Sequence, residues 1–173
     1  LGRRQSPRMR LDLGALLAEA AGILRISAPR GLHITTKIAD EPLVVDGDRM
    51  QLMQVLLNLG LNAREALAKG AQTITLSLNR AIALPQSVKQ ETGVIPPAPF
   101  ALFAITDTGP GMNAATRAKI WEPYFTTKTL GGSGLGLFVV ADIVRGVGGG
   151  IALTTAPGKG TTFYIAWPLD QGA

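Results

Sequence analysis

An α+β two-layer sandwich, a mixed and mostly antiparallel sheet covered on one face by helices, is the fold class this sequence predicts. Three observations point to it. Strand patterns come in hairpin-like pairs separated by helical patterns, without the regular βαβ alternation of a doubly wound sheet. One helical stretch, residues 48–67, is apolar around most of its circumference and so belongs in the interior. A chain of 173 residues, 46% hydrophobic and 17% charged, is long enough for one domain with a sizeable core and short for two.

Residues 1–10 are charged, contain Pro7 and show no period, so they read as a linker to something upstream. From Asp12 the spacing of Leu13, Leu16, Leu17, Ala20, Ile23 and Leu24 predicts an amphipathic helix that Pro29 and Gly31 end. Residues 33–39 and 43–46 read as two strands around a turn at Asp40-Glu41-Pro42. Asp48 is placed to cap the next helix, with Gln51 three residues on in a capping-box arrangement, and Gly70 to close it after Lys69. Residues 73–83 alternate Ile74, Leu76 and Leu78 inward as a strand. Pro85, Gly93, Pro96, Pro97 and Pro99 make 84–99 a long surface loop, and 100–106 resumes as a strand. A short helix is expected around Ala114–Trp121, a mobile aperiodic segment from Glu122 to Gly134, and a helix from Gly136 to Val147. Strands 150–156 and 161–169 flank a turn at Pro157-Gly158-Lys159-Gly160.

Composition removes several classes of function. Without cysteine there is neither a disulfide framework nor a thiolate metal site, which fits a reducing compartment. No run of about 18 apolar residues occurs, so no helix is expected to span a membrane. The chain opens at Leu1 with neither an initiator Met nor a signal peptide and reads as a soluble piece of a longer polypeptide. Its net charge of +5 gathers at the amino end, where Arg3, Arg4, Arg8 and Arg10 face Asp12 alone. No aromatic residues interleave with them, so a solvated segment is the first reading and nucleic acid is not an expected partner.

The chemistry gathers in three places. On the helix 48–67 the polar residues Gln51, Gln54, Asn58, Asn62 and Glu65 recur at steps of three or four, and Asn58 and Asn62 meet one turn apart. A buried amide left unpaired costs about 1–3 kcal/mol, so either the fold or a ligand must satisfy them. Asp107-Thr108-Gly109-Pro110-Gly111 follows a strand directly. Its glycines allow a ligand close against the turn, and Asp107 can accept from an exocyclic amino group or merely cap the turn. Gly131-Gly132-Ser133-Gly134-Leu135-Gly136-Leu137 leads into a helix whose exposed N–H groups suit phosphate, though alone it could be a hinge.

The order of motifs is far more specific than any one of them: NxxxN on a buried helix, DTGPGM after a strand, WEPYFTTK, GSGLGL opening a helix, then GKGTTF. In this the chain resembles the catalytic ATP-binding domain of bacterial sensor histidine kinases, within the superfamily that includes gyrase B, MutL and the heat-shock ninety chaperones. The resemblance runs from about Leu11 to Leu169, so residues 11–173 are expected to be the catalytic domain, with a Bergerat-type fold and a mobile ATP lid. It implies ATP and Mg²⁺ as ligands, with Asn62 on the metal and Asn58 at the phosphates or the metal-bound water. It further implies Asp107 on the adenine amino group, Gly109, Gly111 and Met112 around the purine, and Thr161 at the adenine edge. Gly132, Ser133, Gly134, Leu135, Gly136 and Leu137 would hold the triphosphate, Phe125 would anchor the lid, and Lys128 would reach the γ-phosphate as a catalytic residue beside Asn58 and Asn62. Many members carry a lysine three residues after the second asparagine. Here that position is Glu65, so the neutralising charge falls to Arg64 or Lys128.

By the same resemblance the chain donates the γ-phosphoryl to a histidine on a separate helical dimerisation domain, which passes it to a response regulator. His33, the one histidine, lies in a strand pattern and is read as a surface or structural residue. The chain is therefore expected to bind Mg·ATP as a cytoplasmic monomer without phosphorylating itself, and with no direct membrane contact of its own. ATP-hydrolysing relatives carry a glutamate where Asn58 stands, and an amide cannot act as a base, so slow hydrolysis is expected. An anti-sigma-factor-type serine kinase and a nucleotide-binding pseudokinase are the competing readings.

Overall fold

The computed structural model describes residues 7–67, 72–127 and 133–170. Helix α1 (Leu13–Ile26) starts where the Asp12 carboxylate accepts from Ala15 N, and it buries Leu13, Leu16, Leu17, Ala20, Ala21 and Leu24. Ile23, expected on that stripe, is exposed instead. Helix α2 (Arg49–Ala66) is capped by Asp48, whose carboxylate accepts from the N–H groups of Met50 and Gln51. Leu52, Val55, Leu56 and Leu59 on it are completely buried, each contributing about 1.5–3 kcal/mol of burial. The helix ends at Leu67 in extended backbone; Lys69 and Gly70, the expected terminator, lie outside the described residues.

Six strands form the main sheet: β2 (Leu32–Ile38), β4 (Gln72–Ala81), β5 (Gln90–Gly93), β6 (Phe100–Asp107), β7 (Gly150–Thr155) and β8 (Thr161–Pro168), in the order β2-β4-β6-β8-β7-β5. Every neighbouring pair is antiparallel except β2–β4. The sheet is mixed and mostly antiparallel, as the sequence predicts. Ile74, Leu76 and Leu78 of β4 and Phe103 and Ile105 of β6 face α1, α2 and α4 (Gly136–Gly146) across one continuous core.

Three strand readings need correction. The turn at 40–42 does not join a hairpin: β2 pairs in parallel with β4 across the α2 connection, while β3 (Val44–Gly47) pairs with β1 (Met9–Asp12) in a separate ribbon. Strand β1 occupies the end of the stretch read as a linker, and Leu11 in it is buried. The first error arises because periodicity identifies a strand but not its partner, the second because β1 is four residues long, MRLD, too short for a period to show. The third correction concerns 84–99, which is not a bare loop. It contains β5 and folds onto the sheet face opposite the helices, where Leu84 and Ile95 pack on Phe100, Leu102 and Ala166. The expected short helix forms as α3 (Ala114–Lys119), with the Asn113 side chain accepting from Thr116 N. The segment expected to be mobile is described only at its two ends, up to Thr127 and from Ser133.

Candidate nucleotide-binding site

Asn58, Asn62, Asp107, Gly109, Gly136 and Thr161 lie where α2, the end of β6, the start of β8 and the start of α4 converge. Asn58 and Asn62 are half-buried, not fully buried, on the side of α2 that faces Gly136 at the start of α4. Asn58 Nδ2 donates to Gly136 O over 3.4 Å. A Cβ on Gly136 would stand 3.9 Å from Asn62 Oδ1, so this glycine keeps the wall beside the amide low. Leu135, at the N-cap of α4, supplies no side-chain cap, and the first N–H groups of the helix are therefore available to an anion.

Asp107 is the buried carboxylate of the site, 5% exposed. It accepts from Gly109 N at 2.8 Å, and the backbone N–H of Thr161 also reaches it. Burial pushes its carboxyl above the ordinary carboxylate range, and those two N–H groups pull partly back. The loop after Asp107 rides on the last turn of α2, where a Cβ on Gly109 would come within 3.2 Å of Ala66 O. Gly111 has φ +68°, and a Cβ on it would overlap the carbonyl oxygen of Ala156. The loop after Asp107 and the β7–β8 turn are thus pressed together backbone to backbone, with Gly158 N donating to Pro110 O.

Sequence reading missed Thr155. Its Oγ1 accepts from Met112 N at 2.9 Å and lies 3.0 Å from Thr161 Oγ1 and 3.2 Å from Gly160 O. The hydroxyl therefore ties the loop after Asp107, at Met112, to Thr161, the threonine predicted at the adenine edge. Thr155 and Thr161 are cross-strand partners at the mouth of a hairpin, so matching threonines on both sides of the APGKG turn were the available clue.

Other predicted residues have structural duties. Tyr124 N donates to Gly134 O at 3.0 Å, and a Cβ on Gly134 would collide with the backbone of Tyr124. These contacts clip the two described ends of the lid segment together. Phe125 packs half-buried on the core, and Trp121 makes an edge-on contact with Phe163, ring centroids 6.1 Å apart. Ser133 Oγ accepts from Leu135 N at 3.3 Å. Lys128 and Gly132 lie outside the described residues.

Arg64 is engaged away from the site. Its Nη1 donates to Ser27 Oγ at 2.7 Å and to Ser27 O at 3.3 Å, beyond the end of α1. At about 100° per residue it projects roughly 200° around α2 from Asn62, on the side where Gly60 meets Leu24. Arg64→Ala is expected to leave ATP affinity within about twofold of the parent chain, the usual range for a substitution outside a site. A tenfold loss in a titration would return Arg64 to the phosphates.

Among the described residues no group of three His, Cys, Asp or Glu side chains could hold a metal ion, so a cation here would depend on the oxygens of its ligand. The amide oxygen of Asn62 and a bound triphosphate form such a set, and the residues fit Mg²⁺ in that sense.

A mixed sheet with helices on one face, with an asparagine-bearing helix beside both a glycine-rich helix start and the loop of a buried aspartate, defines a nucleotide-using domain. The chain belongs to the histidine kinase-, DNA gyrase B- and HSP90-like ATPase family, whose model matches residues 47–171. Among its relatives, sensor kinase CckA of Brucella abortus is 38% identical over 168 residues, 96% of this chain and 18% of that protein. The sensory histidine kinase/phosphatase NtrB of Rhizobium meliloti is 32% identical over 172 residues, 98% of this chain and 44% of the relative. Full-length ShkA, solved in complex with AMPPNP, superposes with a TM-score of 0.76 at 25% identity, over 96% of this chain and 32% of that one. The chain thus spans less than half the length of each of these three proteins.

Proposed function

We propose that the chain binds Mg·ATP and donates the γ-phosphoryl to a histidine carried on a separate helical dimerisation domain, for onward transfer to a response regulator. The observation that carries this reading is the meeting of Asn58 and Asn62 with the uncapped start of α4, one turn of α2 from the loop that presents Asp107. Asp107 accepts from the adenine amino group, with Gly109, Gly111 and Met112 around the purine and Thr161 at its edge. Asn62 Oδ1 would hold Mg²⁺, which would offset the charge of the phosphates. The N–H groups that open α4 take phosphate oxygens, and Lys128, outside the described residues, is assigned to the γ-phosphate by the sequence resemblance alone. Residues 11–173 act as one cytoplasmic, monomeric catalytic domain. The sensor kinases among its relatives favour histidine over serine as the acceptor. Among the described residues no helix is long and apolar enough to cross a membrane.

Catalysis in this reading is positioning and charge neutralisation, because the amide of Asn58 takes no proton from water and the incoming imidazole brings its own lone pair. His33 lies exposed on the edge strand β2 and not on a helix, and is read as a surface residue. The chain alone is therefore expected to bind ATP yet hydrolyse it negligibly. Mixed with a histidine-bearing dimerisation domain and labelled ATP, it should transfer label to that domain. Rapid steady-state hydrolysis by the isolated chain, or binding without any transfer to the acceptor, would sink the assignment.

A further inference from the structure

The stretch 84–99 belongs to none of the motifs at the nucleotide site, yet two consecutive residues of its strand β5 hold the helices on either side of the lid segment. Glu91 Oε1 accepts from Arg117 on α3, from Nε at 2.9 Å and also from Nη2, which reaches Leu153 O on β7 at 3.1 Å. Thr92 Oγ1 is bonded by Arg145 Nη1, in the last turn of α4, at 3.3 Å. Neighbouring residues of a regular strand point to opposite faces, so Glu91 and Thr92 could not both reach the helices from one. The register against β7 shifts between them: Gln90 stands opposite Ala152 and Thr92 opposite Ile151. That bulge turns both side chains to use.

The pairing is sheltered. Glu91 is 19% exposed and Arg117 33%, against 69% and 53% for the surface pair Arg8–Asp46, so water and salt screen it less. Strand β5 is itself fixed in place. Val94 N donates to Gly149 O at 3.0 Å, and a Cβ on Gly93 would overlap that same oxygen. A Cβ on Gly150 would stand 2.6 Å from Val94 O, so the missing side chain of Gly150 is what lets the end of β5 lie this close to the sheet edge.

We infer that β5 is a positioning strap for the nucleotide site: through Glu91 and Thr92 it fixes α3 and α4 against the sheet, and with them the Met112 and Gly136 ends of the cleft. Glu91 and Thr92 touch no nucleotide; they set where the residues that do so stand. The inference rests on the nucleotide reading above and adds the residues that hold its two halves at one spacing.

The test titrates ATP into the 173-residue chain by calorimetry and follows indole emission in a Trp167→Phe background, where Trp121, two residues beyond α3, is the sole tryptophan. Glu91→Ala is expected to raise the ATP Kd about 3- to 10-fold and to shift Trp121 emission before nucleotide is added. Glu91→Gln, whose amide oxygen still accepts from Arg117, should stay within about twofold of the parent chain. Thr92→Val should weaken ATP in the same direction. Glu91→Ala combined with Arg117→Ala should be no worse than Arg117→Ala alone, because one contact is lost only once. Parent-like affinity and emission in Glu91→Ala, equal losses in Glu91→Ala and Glu91→Gln, or additive losses in the pair would overturn the strap. If the unsubstituted chain binds no ATP, the nucleotide reading fails instead, and Trp121 emission still reports whether Glu91 holds α3.

Discussion

Asp107→Asn should weaken ATP binding by roughly 10- to 150-fold while leaving the fold intact. The loss follows from replacing a charged acceptor with an amide whose NH₂ opposes the adenine NH₂, about 1.5–3 kcal/mol for a hydrogen bond to a charged group. The fold survives because the asparagine oxygen can still accept from Gly109 N, the bond that shapes the loop. Stability and binding should even separate by pH. Burial raises the carboxyl's pKa in the folded chain, so the folded state keeps the proton to a higher pH than the unfolded chain does. The group therefore costs stability as pH rises from the ordinary carboxylate value through the raised one. Removing it should not lower the melting temperature at neutral pH. In the parent chain ATP binding needs the ionised acceptor, so affinity should fall as pH drops through the raised value, and this pH dependence should vanish in Asp107→Asn. Calorimetric titration across pH measures all of this, and unchanged affinity in the variant would refute the adenine assignment.

Gly111→Ala is expected to be the most destabilising single-methyl change in the site. Alanine at φ +68° costs about 1–2 kcal/mol in backbone conformation alone. Its methyl group would also overlap Ala156 O, backbone that cannot swing aside as a side chain can, and overpacking of this kind adds about 1–3 kcal/mol. At about 2–4 °C per kcal/mol for a chain of this size, the melting temperature should fall on the order of 10 °C. Gly158→Ala separates the two causes. Gly158 has φ +75°, but a Cβ there would meet nothing within 4 Å, so only the conformational part applies. Equal melting temperatures for the two variants would show that the contact between the loop after Asp107 and the β7–β8 turn carries no weight.

The sequence was explicit wherever a residue's role depends on its neighbours along the chain. The apolar stripe of α2, the Asp48 cap and the alternation of β4 are local periodicities, and they reappear at the expected positions. Motif order put Asn58, Asn62, Asp107 and Thr161 forward as one site, and in the fold Asn58 and Asn62 face Gly136 while Asp107 accepts from Thr161 N. What local pattern could not settle was every choice between distant alternatives. β2 could pair with β3 or β4, and only packing across α2 selects β4. Arg64 carries the right charge at nearly the right place, but its direction around the helix sends it to Ser27. Thr155 and β5 matter through partners many residues away, Met112 for the one and Arg117 and Arg145 for the other. Periodicity records which face of an element is buried; which element buries it is decided by register and packing among segments far apart in the chain, and that information exists only in the folded molecule.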